Sequence, residues 1–467
     1  MTTSKAADIA ARLDRLPPSR HVWTMLLLLS LGGIFEFYDL FVTGYVGPGM
    51  VKAGMFAPAS LGIFNVLGPL GVEGLGTFVF ATFAGLFVGS ILLGSAADRL
   101  GRRTIFVGSL LWYSVTTAIM AFMPSGFWID IWRFIAGVGI GVELVTIDTY
   151  ISELMPRRER GRAFAVSQFV AFMAVPLVAL LAWLLVPAAP FGLDGWRWVV
   201  LIGSSGALCV FFIQRGVPES PRWLARHGRD AEAEHVMTAI EAAVMRETGT
   251  SLPSPNPATV EEAIGTGSFA EIWSPRYRQR TIMLSLFNFF QTIGFYGFAA
   301  WVPTLLIAKG IDVTRGLEYS FIIAIANPIG PLLGVLIADR LERKWQIVAA
   351  AILIAAFGMA FAQQTGAVAL VILGVMITLS NNWMSFAYHN YQAEVFPTRV
   401  RARAVGFVYS WSRLSAAFAG LFISYLLHVG GAGTVFLFIA FAMAVVVGVI
   451  GLMGPRTRGR SLEEIAH

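Results

Sequence analysis

Two charged stretches of this chain recur at one fixed separation, and that constrains its fold more than any other feature. Asp98-Arg99-Leu100 with Arg102 and Arg103 returns as Asp339-Arg340-Leu341 with Arg343 and Lys344. Glu153, Pro156, Arg158, Arg160 and Arg162 return as Glu394, Pro397, Arg399, Arg401 and Arg403, again 241 positions on. Two motifs kept in one register mark a duplicated unit. Each copy lies among long apolar runs, so the duplication implies a membrane protein of two pseudo-symmetric halves, an arrangement typical of secondary transporters.

With 56% hydrophobic and 13% charged residues and a mean hydropathy of +0.70, the 467-residue chain does not read as a soluble protein. A membrane-spanning helix needs about 20 mostly apolar residues. Twelve candidates begin near Val22, Leu75, Thr104, Phe127, Phe164, Trp196, Thr281, Leu317, Gln346, Ala367, Ala404 and Thr434. The expected organisation is a cytoplasmic N-terminus (1–21), a six-helix bundle (22–214), a cytoplasmic linker with short helices (215–280), a second bundle (281–453) and a cytoplasmic tail (454–467). Residues 230–245 read as an amphipathic linker helix, with a second short helical stretch after Pro257. The Gly- and Pro-rich stretch Gly44 to Gly76 is expected to be an irregular outer loop or short helices.

The net charge of +6 would suggest nucleic acid in a soluble chain, but placement decides otherwise. With the N-terminus inside, the outer loops hold only Lys52, Arg197, Lys309 and Arg315, and Arg133 and Arg413 fall within helices. The other 28 Lys and Arg residues share one face, which the positive-inside rule makes cytoplasmic. No cleavable signal precedes segment 1. Lone Cys209 reads as a buried small side chain. No catalytic triad, metal-ligand spacing or phosphate loop appears, so neither an enzyme nor a cofactor is expected.

The ordered motifs Gly32 to Asp39, the two Asp-Arg-Leu loops, Arg133 to Gly141, Pro218 to Leu224 and Pro455 to Ile465 together resemble the major facilitator superfamily, within it the sugar-porter, metabolite and organic-ion branch. The resemblance spans nearly the whole chain. It implies a twelve-helix, all-α membrane fold whose halves rock about a midplane site. It also implies an inner gate of ion pairs among Asp98, Arg102, Glu153, Arg160, Asp339, Arg343, Glu394 and Arg401, in which Glu153 with Arg158 and Arg160, and Glu394 with Arg399 and Arg401, supply the charges that match those of the two Asp-Arg-Leu loops. The plain alternative is that these charges set topology only. Gly137, Gly139 and Gly141 read as a packing stripe, and the Pro218 and Pro455 motifs as helix terminators with polar partners.

Ionisable residues inside spanning helices are costly enough to imply function: Glu36, Asp39, Arg133, Glu143, Asp148 and Arg413. Asp39 and Arg133 fall at similar depth on segments 1 and 4. The resemblance to sugar porters implies that such a pair couples transport to protons, with Asp39 as carrier and Arg133 as switch. Glu36, one turn before Asp39 where sugar porters usually have glycine, reads as a second protonation site, a substrate acceptor or a packed carboxyl. Arg413, mid-way along segment 11, either pairs with an acid across the cavity or binds a substrate carboxylate. Organic-anion and aromatic-acid carriers of the superfamily often place an arginine there. Gln168, Gln291 and Gly294 fit the hexose-site pattern, whereas Tyr296 and His389 stand where it has asparagine and tryptophan. Phe287, Phe290, Phe295, Tyr296, Trp383, Tyr388 and Tyr391 suggest an aromatic lining. The expectation is a proton symporter of a bacterial inner membrane, functional as a monomer, that imports a carboxylate or aromatic acid. A sugar or polyol symporter is the alternative, followed by a drug exporter or a sensor that binds without transporting.

Overall fold

The structure is a computed structural model that describes residues 5–70, 72, 74–93, 96–255, 268–337, 341–396 and 398–457. It is built of helices, and twelve apolar segments cross between a basic face and an opposite face. Segments 1 to 4 are Arg20–Lys52, Gly74–Leu92, Arg102–Met120 and Gly126–Leu154. Segment 5 is broken at Met173 into Arg160–Phe172 and Ala174–Leu185, and segment 6 at Ser205 into Gly195–Ser204 and Gly206–Gly216. Segment 7 is Arg278–Ala299, extended by Val302–Ala308. Segment 8 is Val313–Ala324 with Ala326–Ile337; segments 9 and 10 are Arg343–Gln363 and Ala367–Val395. Segments 11 and 12 form one helical run, Thr398–Met453, turned back at Gly431 with φ 68° and ψ −166°. Only glycine adopts that backbone cheaply, so Gly431 is where the chain reverses.

Gly44 to Lys52, expected as loop, is instead the last part of segment 1. Its glycines explain the difference, because they let the helix press closely on its neighbours. A side chain on Gly44 would collide with the Ala300 backbone of segment 7, and one on Gly49 with Val186 and Trp196. The outer connection shrinks to a short helix, Pro58–Leu61, and a 3-10 stretch, Gly62–Leu70.

In a bilayer the apolar effect does not drive helices together, so close packing at small residues must. Segments 2 and 4 show this. A Cβ on Gly137 would stand 2.5 Å from the Thr82 carbonyl oxygen, and Gly85 and Gly141 meet the facing backbone in the same way. Gly139 turns to the Trp112 ring of segment 3. Between the halves, Gly76 abuts Ser424, Gly420 abuts Val79, and Phe80 packs edge-on against Phe418 at 5.8 Å. Trp183 of segment 5 stacks on Phe321 of segment 8 at 5.8 Å. These seams, with Gly44 on Ala300, draw the halves together toward the opposite face.

On the basic face the linker helix runs Asp230–Thr248, ended by Gly249 in left-handed conformation. A 3-10 turn at Phe269–Trp273 follows, and the stretch between Pro255 and Ser268 lies outside the described residues. An N-terminal helix, Lys5–Asp14, docks on the linker helix through ions. Lys5 Nζ reaches Glu234 at 2.5 Å, Arg12 bridges Glu234 at 2.6 Å and Glu241 at 2.7 Å, and Arg15 holds Glu241 at 2.6 Å. Asp14 continues the chain of charge to Arg222 at 2.7 Å and Arg160 at 3.6 Å.

Hydrogen bonds from Lys5 and Arg12 hold the Glu234 carboxyl down, from 4.5 to about 2. Its folded-state pKa is depressed, so the contribution of this carboxylate is complete above about 4.5 and is lost as pH falls toward about 2. Amide exchange over Lys5–Asp14 should therefore quicken across that window. Glu234→Gln should reproduce the release at neutral pH, whereas unchanged exchange in the variant would show that packing, not charge, holds the helix.

Candidate functional site

The centre of the first half is a buried ion pair. Asp39 on segment 1 and Arg133 on segment 4 are 2% and 0% exposed, with Nη1 2.8 Å from Oδ2. Every side of the guanidinium is occupied: Nη2 donates to Thr43 Oγ1 at 2.8 Å and to the Asp39 carbonyl, and Nε donates to Thr82 Oγ1 at 2.9 Å. The Phe78 ring lies 5.6 Å away. Thr117 of segment 3 donates to the second Asp39 oxygen at 3.0 Å. Four helices thus satisfy one charge pair, the condition under which burying ions is tolerable. The depths of Asp39 and Arg133 were readable from sequence. Thr43, Thr82 and Thr117 were not, because threonine is ordinary in spanning helices.

One turn toward the opposite face, Asp130 is buried, with the Thr77 hydroxyl of segment 2 beside its carboxyl. Sequence reading passed over it, since it lies only four residues after the start of its helix. Toward the basic face, Glu36 and Glu143 are buried, each with one oxygen unpartnered.

Arg413 occupies the second half. It is 5% exposed, and no carboxylate among the described residues lies within ion-pair distance. Its contacts are tyrosines: Nη1 to Tyr296 OH at 3.5 Å, Nη2 to Tyr409 OH at 3.1 Å, and the Tyr409 ring 4.8 Å from the guanidinium carbon. Tyr388 lies within electrostatic reach. Phe83 of the first half packs edge-on against Tyr296 at 4.5 Å. Glu36 and Asp148 are also within electrostatic reach of Arg413, without touching it.

Asp148 and His389, 241 positions apart and so equivalent in the two repeats, keep exposed side chains while both face the Arg413 region. Their exposure marks a central vestibule beside Arg413. His389 packs 5.8 Å from Tyr409, and its Nδ1 lies 2.7 Å from the Ser385 carbonyl oxygen. Gln168 is half-buried. Gln291 is buried and donates to Thr292 at 2.9 Å. Toward the opposite face a cavity of about 20 Å³ separates the halves, lined in part by Tyr45, Phe295, Asn327 and Asn381. That space suits a water molecule, not a metabolite. Two expected lining residues turn away. Trp383 Nε1 donates to Gln346 of segment 9 at 3.0 Å, and Tyr391 donates to the Pro455 carbonyl at 2.9 Å.

In each half a base from the charged loop meets the acid at the end of a neighbouring helix. Glu153 receives Arg102 through Nε at 3.1 Å and Nη2 at 3.0 Å, and Arg102 Nη1 also holds Asp98 at 2.6 Å. In the second half Arg343 holds Glu394 at 3.1 Å; Asp339 lies outside the described residues. Arg160 and Arg401 instead donate to the carbonyls of Met155 and Phe396, each at 3.2 Å. The reason is reach: Arg160 follows Glu153 after a helix break and folds back only as far as the helix end. Each pair therefore ties a loop to a helix within its own half. The Pro218 motif serves the same junction, with Glu219 accepting from the amides of Arg102 at 2.8 Å and Arg103 at 3.1 Å.

Two six-segment halves around a charged, tyrosine-lined centre define a membrane transporter of the major facilitator class. Residues 25–467 match the family model for sugar (and other) transporters, and the chain belongs to that family. A putative metabolite transport protein of Bacillus subtilis, YyaJ, is 30% identical over 98% of both chains. The niacin transporter NiaP of Acinetobacter baylyi is 28% identical over 98% of this chain and 99% of its own. Among solved structures, the partially occluded, inward-open xylose transporter XylE of Escherichia coli superposes with a TM-score of 0.74 at 20% identity, over 95% of this chain and 100% of that one, a likeness of fold.

Proposed function

We propose that this chain imports a small aromatic monocarboxylate together with protons by alternating access, with its basic face in the cytoplasm of a bacterial cell. The observation that carries the substrate is Arg413. A cation in the middle of a spanning helix needs compensation, and here it meets two hydroxyls and a ring face, leaving donors free for an anion. A guanidinium fork binds a carboxylate through two parallel hydrogen bonds, while the tyrosines present flat surface to a ring. The relative that carries niacin, a pyridine carboxylate, agrees with this chemistry. A sugar or polyol is the second reading, favoured by Gln168 and Gln291, which fit the hexose-site pattern, and by the family's name.

Arg413→Gln should cost about 1.5 to 3 kcal/mol of affinity for niacin, the scale of a charge-assisted hydrogen bond, and far less for its neutral amide. Calorimetry in detergent with both ligands checks this. Equal losses would defeat the anion site and return sugars to first place.

Asp39 is the proposed proton carrier and Arg133 the ion-pair partner from which it parts during the cycle. Asp39→Asn should abolish uphill accumulation in proteoliposomes under a pH gradient while leaving counterflow exchange intact, because exchange requires no deprotonation. Gradient-driven uptake at the parent level would instead assign coupling to Glu36.

The pairs Arg102–Glu153 and Arg343–Glu394 are proposed to brace the basic-face ends of the halves when that face closes. Changing Glu153→Gln and Glu394→Gln together should favour the state open to the basic face. A cysteine placed at Met155 should then react faster with a thiol reagent added from that side. Unchanged labelling would leave these residues as topology signals.

A further inference from the structure

Segment 3 carries a row of hydroxyls that neither the ion pair nor the substrate reading uses in full. Ser109, Tyr113 and Thr117 are spaced i, i+4, i+8 and so lie on one helix face, spanning about 12 Å at 1.5 Å per residue. All three are buried. At one end Thr117 donates to Asp39 Oδ1 at 3.0 Å. At the other, Ser109 approaches Glu143 Oε2 at 3.4 Å. Tyr113 stands between them, 1% exposed, with its hydroxyl turned toward the Glu143 carboxyl. Asp39, Glu36 and Glu143 are all within its electrostatic reach, as is Cys209 of segment 6.

The two glutamates belong together. Glu143 Oε1 lies 3.3 Å from where a side chain on Gly32 would begin, one helical turn from Glu36, and each carboxyl keeps one oxygen free. Two unpartnered carboxyl oxygens in an apolar setting are costly as separate anions and stable when they share one proton. Glu36 also faces Asp148, which is exposed to the vestibule, and Arg413.

From this arrangement we infer that Tyr113 relays the coupling proton from Asp39 to a Glu36–Glu143 pair, which releases it through Asp148 to the basic face. The Tyr113 oxygen accepts the proton leaving the Asp39 carboxyl as its own O–H proton passes to the glutamate pair. One proton moves, the Asp39 carboxylate is left paired with Arg133, and rotation of the hydroxyl resets the relay. The inference rests on the proton coupling proposed above and names its route.

The test uses the full chain in proteoliposomes, with niacin, benzoate and xylose as probes, and carries forward whichever the parent accumulates under a pH gradient. Tyr113→Phe removes one oxygen and keeps the ring. Gradient-driven uptake should fall by roughly a hundredfold, the scale of a lost acid–base group, with counterflow of the same probe unchanged. Glu143→Gln, tested in parallel, should also keep counterflow and lose accumulation, and it decides the matter if Tyr113→Phe folds poorly. Parent-level accumulation by either variant overturns the relay while coupling stands. A parent that accumulates no probe overturns the coupling itself and the relay with it.

Discussion

Burial of Arg133 is the constraint on which the first half depends. An unpaired cation at 0% exposure would cost far more than any packing contact returns, so the surrounding helices are obliged to bring it partners. Asp39, Thr43, Thr82 and Thr117 come from segments 1, 2 and 3 and all reach the pair. The glycine contacts between segments 2 and 4 follow from the same need, because Thr82 reaches Arg133 only where Gly85 and Gly137 let the two backbones nearly touch. Sterics and electrostatics thus select one register of segment 4 against segment 2. A slip by one turn would cost both.

The repeat visible in the sequence reappears as repeated contacts at the basic face. Arg102–Glu153 and Arg343–Glu394, and Arg160 to Met155 and Arg401 to Phe396, are the same bonds 241 positions apart; Tyr150 to Pro218 and Tyr391 to Pro455 also correspond, with the two tyrosines 241 and the two prolines 237 positions apart. That much was legible because charged residues at helix ends are few and their spacing is specific. The identity of the partners was not. Spacing sets the loop charges Asp98 and Arg102 against the helix-end set Glu153, Arg158 and Arg160 without saying which of them touch; Arg102 is the one that reaches Glu153, from a neighbouring helix.

Hydroxyls and aromatics were harder to read, for a physical reason. A serine, threonine or tyrosine in a spanning helix can satisfy itself on its own backbone, as Thr146 and Ser30 do, so its presence carries little information until its neighbours are known. Tyr391 and Trp383, read as lining, proved to be clamps to segments 12 and 9, whereas Tyr409, read only as part of the Arg413 stretch, proved to be the guanidinium's main partner. The docking of Lys5–Asp14 on the linker helix was equally hidden, since it joins charges more than two hundred residues apart.

Beneath the shared scaffold the halves have diverged in charge. The first holds the buried acids Glu36, Asp39, Asp130 and Glu143 together with Arg133; the second holds Arg413 among tyrosines. The equivalent positions Asp148 and His389 show the divergence at one site, an acid in one repeat and an imidazole in the other, both facing the vestibule. Under the proposed function, proton chemistry and anion recognition sit on opposite sides of the seam, linked where Phe83 meets Tyr296 and where Glu36 and Asp148 sense Arg413. An anion arriving at Arg413 would compensate the cation those acids now face, and so shift their preference for a proton without touching them. On that proposal ligand and proton occupancy are coupled through the field across the seam, and any rocking of the halves that widens it would change both at once.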